Sequence, residues 1–485
     1  MSYIDTYIQA LSAADNTLEI VTDSAACSEY ISKNYSRMPV SAPAAILYPT
    51  CPDQVLKIVE LANEYKVSLT ARSTHGLESY NGASLPTEGC ECVAVNLSKM
   101  NKVMHIDPLN NMAIIEAGVT YGQLNEALKP YGLYMEHPLA ARAEKSVLAS
   151  LVDRDPVLTA KHLWDVPDPL CAVEMILGKG RRFRSGSAAG PGELQDMLDA
   201  GCGINQAQGP VWLDLARAAT GSQGTLAIVT WASVKVKKIG SCRTIAYVQS
   251  DCIDTLTKYA SQVIRRRLGE EAVILNKAGM KAVFDLADEV VAPMPKWTYI
   301  TTAIGLNYFP EMYMENQLLD MADIAAEYSL EFKYELDGVC NKAVMEALDS
   351  PSKPGAYWKA KKGNDVFDMF MLNTFDKAAP FTAIAEKSVE KCGLNADDLI
   401  VYVQASQMAR NCQIEFVINA DEQTADTLEQ MLGIALLDNK AFFSRPYGKL
   451  VEEIYNRYED QKRYMPLIKE FFDENNIMNP GKLVY

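Results

Sequence analysis

Residues 219–238 read ATGSQGTLAIVTWASVKVKK, a small-residue turn that runs straight into a long period-2 strand pattern. No other segment constrains the chain as much. A loop of glycine, serine and threonine offers backbone N–H groups and hydroxyls to an anion with no bulky side chain in the way. The strand behind it can hydrogen-bond a ribose or purine through its backbone. A tight turn into an edge strand is the other reading, and the residues alone leave both open.

A second polar loop, STHGLESYNGASLP at 73–86, follows the strand pattern KVSLTAR at 66–72. Arg72, Ser73, Thr74, Gly76, Ser79, Asn81 and Gly82 make it long, small and rich in donors, a shape that can wrap a pyrophosphate. A third stretch, HPLAARAEKSVLASLVDRD at 137–155, carries Ala140, Ala141, Ala143 and Ala149 beside Ser146 and Ser150. Alanine permits close backbone approach but reaches positive φ only at a cost. Arg142, Lys145 and Arg154 add positive charge there.

A chain of 485 residues predicts two or three domains. Helical spacing predicts a helix at 52–65, and Thr120 is a good N-cap for one over 120–132. Short strands are expected at 92–97, 101–106 and 112–117, and a hairpin joins 172–178 to 181–184 through Gly178-Lys179-Gly180. After about residue 240 strands alternate with helices: 242–249, 297–306, 399–407 and 412–419 read as strands, and 252–268, 314–330 and 421–438 as helices. That order predicts an α+β domain whose antiparallel sheet is covered on one face. Polar Gln404, Arg410, Gln413 and Glu415 interrupt its last strands. Alternation places Gln413 and Glu415 on one face, where they need partners, a ligand or water.

Acidic residues outnumber basic ones, 62 to 46, for a net charge of −16. This argues against a nucleic-acid binder. No run of 18 apolar residues predicts a membrane span, and the N-terminus does not read as a signal peptide. The eleven scattered cysteines read as reduced thiols, giving a cytoplasmic expectation. The four histidines (75, 105, 137 and 162) lack metal-ligand spacing, so no metal site is expected. Dinucleotide-fold, Walker, haem and iron–sulfur motifs are absent from the sequence.

Several of these segments, in order, resemble one family. GSQGTLAIVT is similar to the GSEGTLGIVT element of the vanillyl-alcohol oxidase and p-cresol methylhydroxylase flavoprotein superfamily. PAAILYPTCPDQVLKIVELANEY resembles the family's opening strand and helix, VSLTARSTHGLESYNGASLP its first pyrophosphate loop, and VAVNLSKMNKVMHIDPLNNMAIIEAGVTYGQLNEAL its next block. NPGKL near the end is also typical. The resemblance implies an α+β fold, with a two-subdomain FAD-binding domain of the p-cresol methylhydroxylase type over 39–238. An N-terminal extension (1–38) precedes it, and an α+β substrate domain with an antiparallel sheet (239–440) and a C-terminal helical segment (441–485) follow. FAD would be held by Arg72, Ser73, Thr74, His75, Gly76, Ser79, Asn81, Gly82, Ser146, Ser150, Gly221, Ser222, Gly224, Thr225, Ile228, Val229 and Thr230. The adenine is expected near 228–230. His75 reads either as a covalent flavin attachment point or as a loop histidine bonded to backbone.

The implied activity is hydride transfer from a small hydroxylated or phenolic substrate to flavin N5. The electrons would pass on to a partner electron-transfer protein or to oxygen. Tyr80 and Arg445 would orient the substrate anion, and Glu415 and His137 are the candidate bases. Two alternatives stay open: a metal-independent 2-hydroxyacid dehydrogenase, and a non-catalytic scaffold of flavin fold. A homo-oligomer is also left open.

Overall fold

The computed structural model describes residues 2–36, 38–160, 169–209, 214–352, 357–359 and 365–483. His162 lies outside these residues. Three sheets organise the chain. The first has four strands in the order 19–21, 45–48, 92–96, 68–72, with the last three parallel to one another. Helix Pro52–Tyr65 makes the crossover between 45–48 and 68–72. It starts on Pro52, whose missing N–H is no loss in a first turn, and it buries Val55, Ile58, Val59 and Ala62.

The N-terminal segment, expected as an extension, is built into this layer. Ile4, Tyr7 and Leu11 form an apolar stripe on helix Tyr3–Ala14. The Tyr7 hydroxyl donates to Ile58 O at 3.1 Å, and Glu19–Val21 becomes the sheet's edge.

The second sheet is antiparallel, with strands 103–107, 112–116, 227–235, 170–177 and 181–184 in that order. Between the two sheets lies a shared core that includes Val93, Val95, Ile115, Leu124, Val173 and Ile228. Thr120 caps helix Tyr121–Leu128 in a reciprocal capping box with Gln123. Gly132 ends the following turn at φ 65°.

The third sheet has seven antiparallel strands, ordered 332–333, 242–250, 297–305, 272–276, 400–406, 411–419, 366–373. Helices Ile253–Arg265, Pro310–Glu327, Ala378–Lys391 and Glu422–Asp438 share a core with one face, packing on Val401, Val403, Ile414 and Phe416. The other face is buried as well. Tyr402 and Val417 join a separate core with Leu139, Ala140 and Leu158 of the N-terminal half. The expected open face is therefore the one that meets the first half of the chain, and its Gln413 and Glu415 line a cavity between the two halves.

Candidate active site

Two cavities adjoin. The first, of about 190 Å³, lies between the 71–84 loop, the 142–153 stretch and the 219–229 turn and strand. The second, of about 130 Å³, lies where the seven-stranded sheet meets the first half of the chain. Tyr80, Asn81, Arg142 and Lys145 line both, so the two are parts of one channel.

The first cavity is built for an anionic, extended ligand. Arg72 ends strand Ser68–Arg72 and donates through Nη2 to Gly76 O at 2.6 Å and to Glu78 O at 3.3 Å. Its buried Nη1 has no partner. Gly224 turns at φ 71°, and a Cβ there would meet nothing closer than Asn479 Nδ2 at 3.8 Å, so the turn leaves an open cradle. An orphaned guanidinium nitrogen and a bare glycine turn on one cleft fit a pyrophosphate. Ala140 is strained at φ 46°, at a position the sequence marks as poor in glycine.

Aromatic rings and ion pairs make the second cavity. Tyr80 stacks on Tyr35 at 5.0 Å and meets Tyr357 edge-on at 5.3 Å. Arg142 lies over the Tyr80 ring at 4.9 Å and over Tyr357 at 5.9 Å. Trp358, Phe370 and Tyr402 complete the apolar wall. Arg445 sits 4.2 Å over the Phe370 ring, pairs through Nη1 with Asp155, and donates through Nη2 to Gln413 at 3.1 Å. Lys145 also pairs with Asp155, which accepts from the Ser150 hydroxyl at 2.8 Å. Lys359 bridges Asp368 and Glu415. Gln413 Nε2 donates to Glu415 at 2.7 Å. Burial would raise the Asp155 carboxyl, but Lys145 and Arg445 hold it well below the usual carboxylate range. Burial pushes the Tyr80 phenol well above its ordinary value and Tyr357 up to about 12.

Residues 43–186 match the family described as FAD binding domain. Over 478 residues the chain is 23% identical to the mitochondrial D-lactate dehydrogenase (cytochrome) of Arabidopsis thaliana, covering 93% of this chain and 75% of that one. The 4-cresol dehydrogenase (hydroxylating) flavoprotein subunit of Pseudomonas putida is 30% identical over 166 residues, 33% of this chain and 31% of that one. Among solved structures, p-cresol methylhydroxylase with substrate bound superposes with a TM-score of 0.82 at 16% identity, covering 99% and 96% of the two chains. The 4-ethylphenol oxidase of Gulosibacter chungangensis, in an isoeugenol complex, gives 0.80 at 17% identity, covering 100% and 97%. Residues 43–186 therefore carry an FAD-binding domain, and the chain as a whole has the fold of the p-cresol methylhydroxylase and 4-ethylphenol oxidase structures. It is an FAD-dependent oxidoreductase.

The site residues expected for this flavoprotein divide into two groups. Arg72, Ser73, Thr74, Ser79, Asn81, Gly224, Ile228 and Val229 line the first cavity, Tyr80 and Asn81 line both, and Glu415 and Arg445 line the second. The others do not line either. The His75 ring donates to Gly118 O at 2.8 Å, the backbone-bonded alternative. A Cβ on Gly76 would meet Glu78, one on Gly82 would meet Ser36, and one on Gly221 would meet the Arg154 guanidinium. The hydroxyls of Ser146, Ser222 and Thr225 donate to the carbonyls of Ala117, Ala219 and Ser222 at 2.6, 2.7 and 2.6 Å. Ser150 serves Asp155, and Thr230 donates to Glu174 at 2.9 Å. In each case a short hydroxyl completes its own turn or a neighbour before it can reach a ligand.

His137, expected as a candidate base, lines neither cavity. Its Nδ1 is bonded to Pro138 O at 2.8 Å, and the ring packs edge-on to Tyr121, away from the second cavity. Asp155, Tyr357, Lys359 and Asp368 are site residues that the sequence reading missed. Asp155 and Arg445 are 290 positions apart, and no local pattern announces such a pair.

Proposed function

We propose that this flavoprotein oxidises a small phenolic or other hydroxylated aromatic substrate. One observation carries the reading: the second cavity has aromatic walls, and its cations are already engaged. Arg445 faces Asp155 and Gln413, Lys145 faces Asp155, Lys359 faces Asp368 and Glu415, and Arg142 lies over two tyrosine rings with Glu78 at 3.7 Å. A substrate carboxylate would have to displace an internal partner from one of these buried pairs, which is costly. An aromatic ring with a hydroxyl needs only the stacking surfaces and the free Tyr80 hydroxyl.

FAD would lie along the first cavity, held by Arg72, Ser73, Thr74, Ser79, Asn81, Gly224, Ile228 and Val229. When bound it supplies the hydride acceptor. Tyr80 would donate to the substrate oxygen, and the Tyr357, Trp358, Phe370 and Tyr402 walls would orient the ring and exclude water. Arg445 keeps Gln413 and Asp155 in place instead of holding the substrate itself. A partner electron-transfer protein or oxygen would take the electrons. We also place the protein in the cytoplasm, because all eleven cysteines are free thiols. No helix among the described residues is long and apolar enough to cross a membrane.

The test is an anaerobic titration of the yellow holoprotein. 4-Ethylphenol should bleach the flavin band and D-lactate should not. The opposite outcome would move the assignment to the 2-hydroxyacid class of the Arabidopsis relative.

A further inference from the structure

The carboxylates of the second cavity are unequally occupied. Asp155 commits Oδ1 to Arg445 and Oδ2 to Lys145 and Ser150. Glu415 commits Oε1 to Lys359 and Oε2 to Gln413. Asp368, on strand Val366–Asn373, gives Oδ2 to Lys359. Its Oδ1 is buried and has no partner. Among the described residues lining the cavity, the unpaired buried polar atoms are this oxygen, an acceptor, and the Tyr80 hydroxyl. A buried acceptor without a donor is costly. A ligand hydroxyl donating to Asp368 would satisfy that oxygen, and Tyr80 offers an unused donor in the lining of the same cavity.

We propose that Asp368 Oδ1 is the atom that takes the proton from the substrate's hydroxyl, with Lys359 and Glu415 holding its carboxyl in position. The assignment rests on the reading of the substrate as a phenol or hydroxylated aromatic. The substrate O–H bond breaks, an O–H bond forms at Oδ1, and the electron pair stays on the substrate oxygen.

The strand geometry supports this. Phe370 is the register partner of Glu415, and Asp368 lies two residues along the same strand, on the same face. The carboxyl therefore projects from the floor of the cavity that Phe370 and Tyr402 wall. The titratable groups around it are Lys359, Glu415, Tyr357 and Tyr402. Burial and the Glu415 carboxylate push Asp368 up to about 7 against the pull of Lys359. A base with that value changes state near neutral pH, where general-base catalysis is most efficient.

The experiment compares wild-type holoenzyme with Asp368→Asn and Asp368→Glu, using 4-ethylphenol as substrate and 4-nitrophenol as a dead-end probe. Turnover by the wild type should rise with pH along a limb near 7. Asp368→Asn should keep its flavin spectrum, lose kcat by ~100-fold or more, and lose the limb. Asp368→Glu should restore part of both. The probe's colour gives a readout independent of turnover: 4-nitrophenol should bind the wild type as the coloured phenolate, its proton taken by Asp368, and bind Asp368→Asn as the neutral phenol without that colour. Lys359→Gln, which keeps Asp368 but removes the cation, should move the limb to higher pH and covers the case where Asp368→Asn does not fold. A limb unchanged in these variants overturns the assignment of Asp368 alone. No reaction of the wild type with any phenol overturns the substrate reading, and this assignment with it.

Discussion

Asp155 shows how much one side chain holds. It joins Lys145 and Ser150 on one stretch to Arg445 near the other end of the chain. Asp155→Asn would leave the buried Arg445 and the half-buried Lys145 under-compensated, at a cost of about 3 kcal/mol. Chemical denaturation of the variant should show that loss. The sign with pH follows from its direction. The folded value lies below the unfolded value of ~3.9. The stabilisation is therefore full above about pH 4 and is lost as pH falls through the folded value, so the variant's acid limb should be flatter than the wild type's. At this scale the sequence was half legible. Glu415 could be picked out because a polar group stood in a strand pattern where apolar ones were due, and Tyr80 and Arg445 only through the family resemblance of their segments. Asp155, Lys359 and Asp368 could not, because each has its meaning only through a partner that the fold supplies. Asp368 and Glu415 meet only because strands 366–373 and 411–419 pair.

At the level of elements, local chemistry was a better guide. The Thr120 and Gln123 capping box, the Pro52 start and the 178–180 turn all fix boundaries through their own backbone needs. Among the strands that escaped notice are two of the large sheet. Ala272–Asn276 is buried throughout, so it shows no alternation and its period is indistinguishable from a helix fragment. Val366–Asn373 carries a carboxylate in its middle, which breaks the apolar pattern on the face that meets the cavity. The turn at Gly118 sets a further element-level expectation. A Cβ there would stand 2.4 Å from Leu97 O and 2.8 Å from Met100 O, both backbone atoms that cannot swing aside. Gly118 O also accepts the His75 ring hydrogen bond. Gly118→Ala should cost about 1–3 kcal/mol and shift the 73–86 loop. Fluorescence titration of the apoprotein should then show weaker FAD binding.

The whole molecule is two sheets around the first cavity and a third larger sheet closing the second; the order of strands and helices anticipated the antiparallel third sheet, and the family resemblance anticipated the rest. The tie made by the last part of the chain was not anticipated. Leu69 N donates to Ile477 O and Asn479 N donates to Leu69 O, both at 2.7 Å. The Asn479 amide donates to Ala83 O at 2.7 Å and to Gln223 O at 2.6 Å, and both residues line the first cavity. Asn479→Ala would leave two buried carbonyls without that donor, each worth about 1 kcal/mol or more. The variant should lose FAD on gel filtration under conditions where the wild type stays yellow.

The same tie orders events in the life of the protein. Gln223 leaves the ribosome 256 residues before the asparagine that holds its carbonyl. The two walls of the cleft are therefore synthesised long before the bond that joins them, so the cleft can be tied shut only at the end of translation. A nascent chain stalled anywhere in the seven-stranded sheet would still lack that bond between the walls.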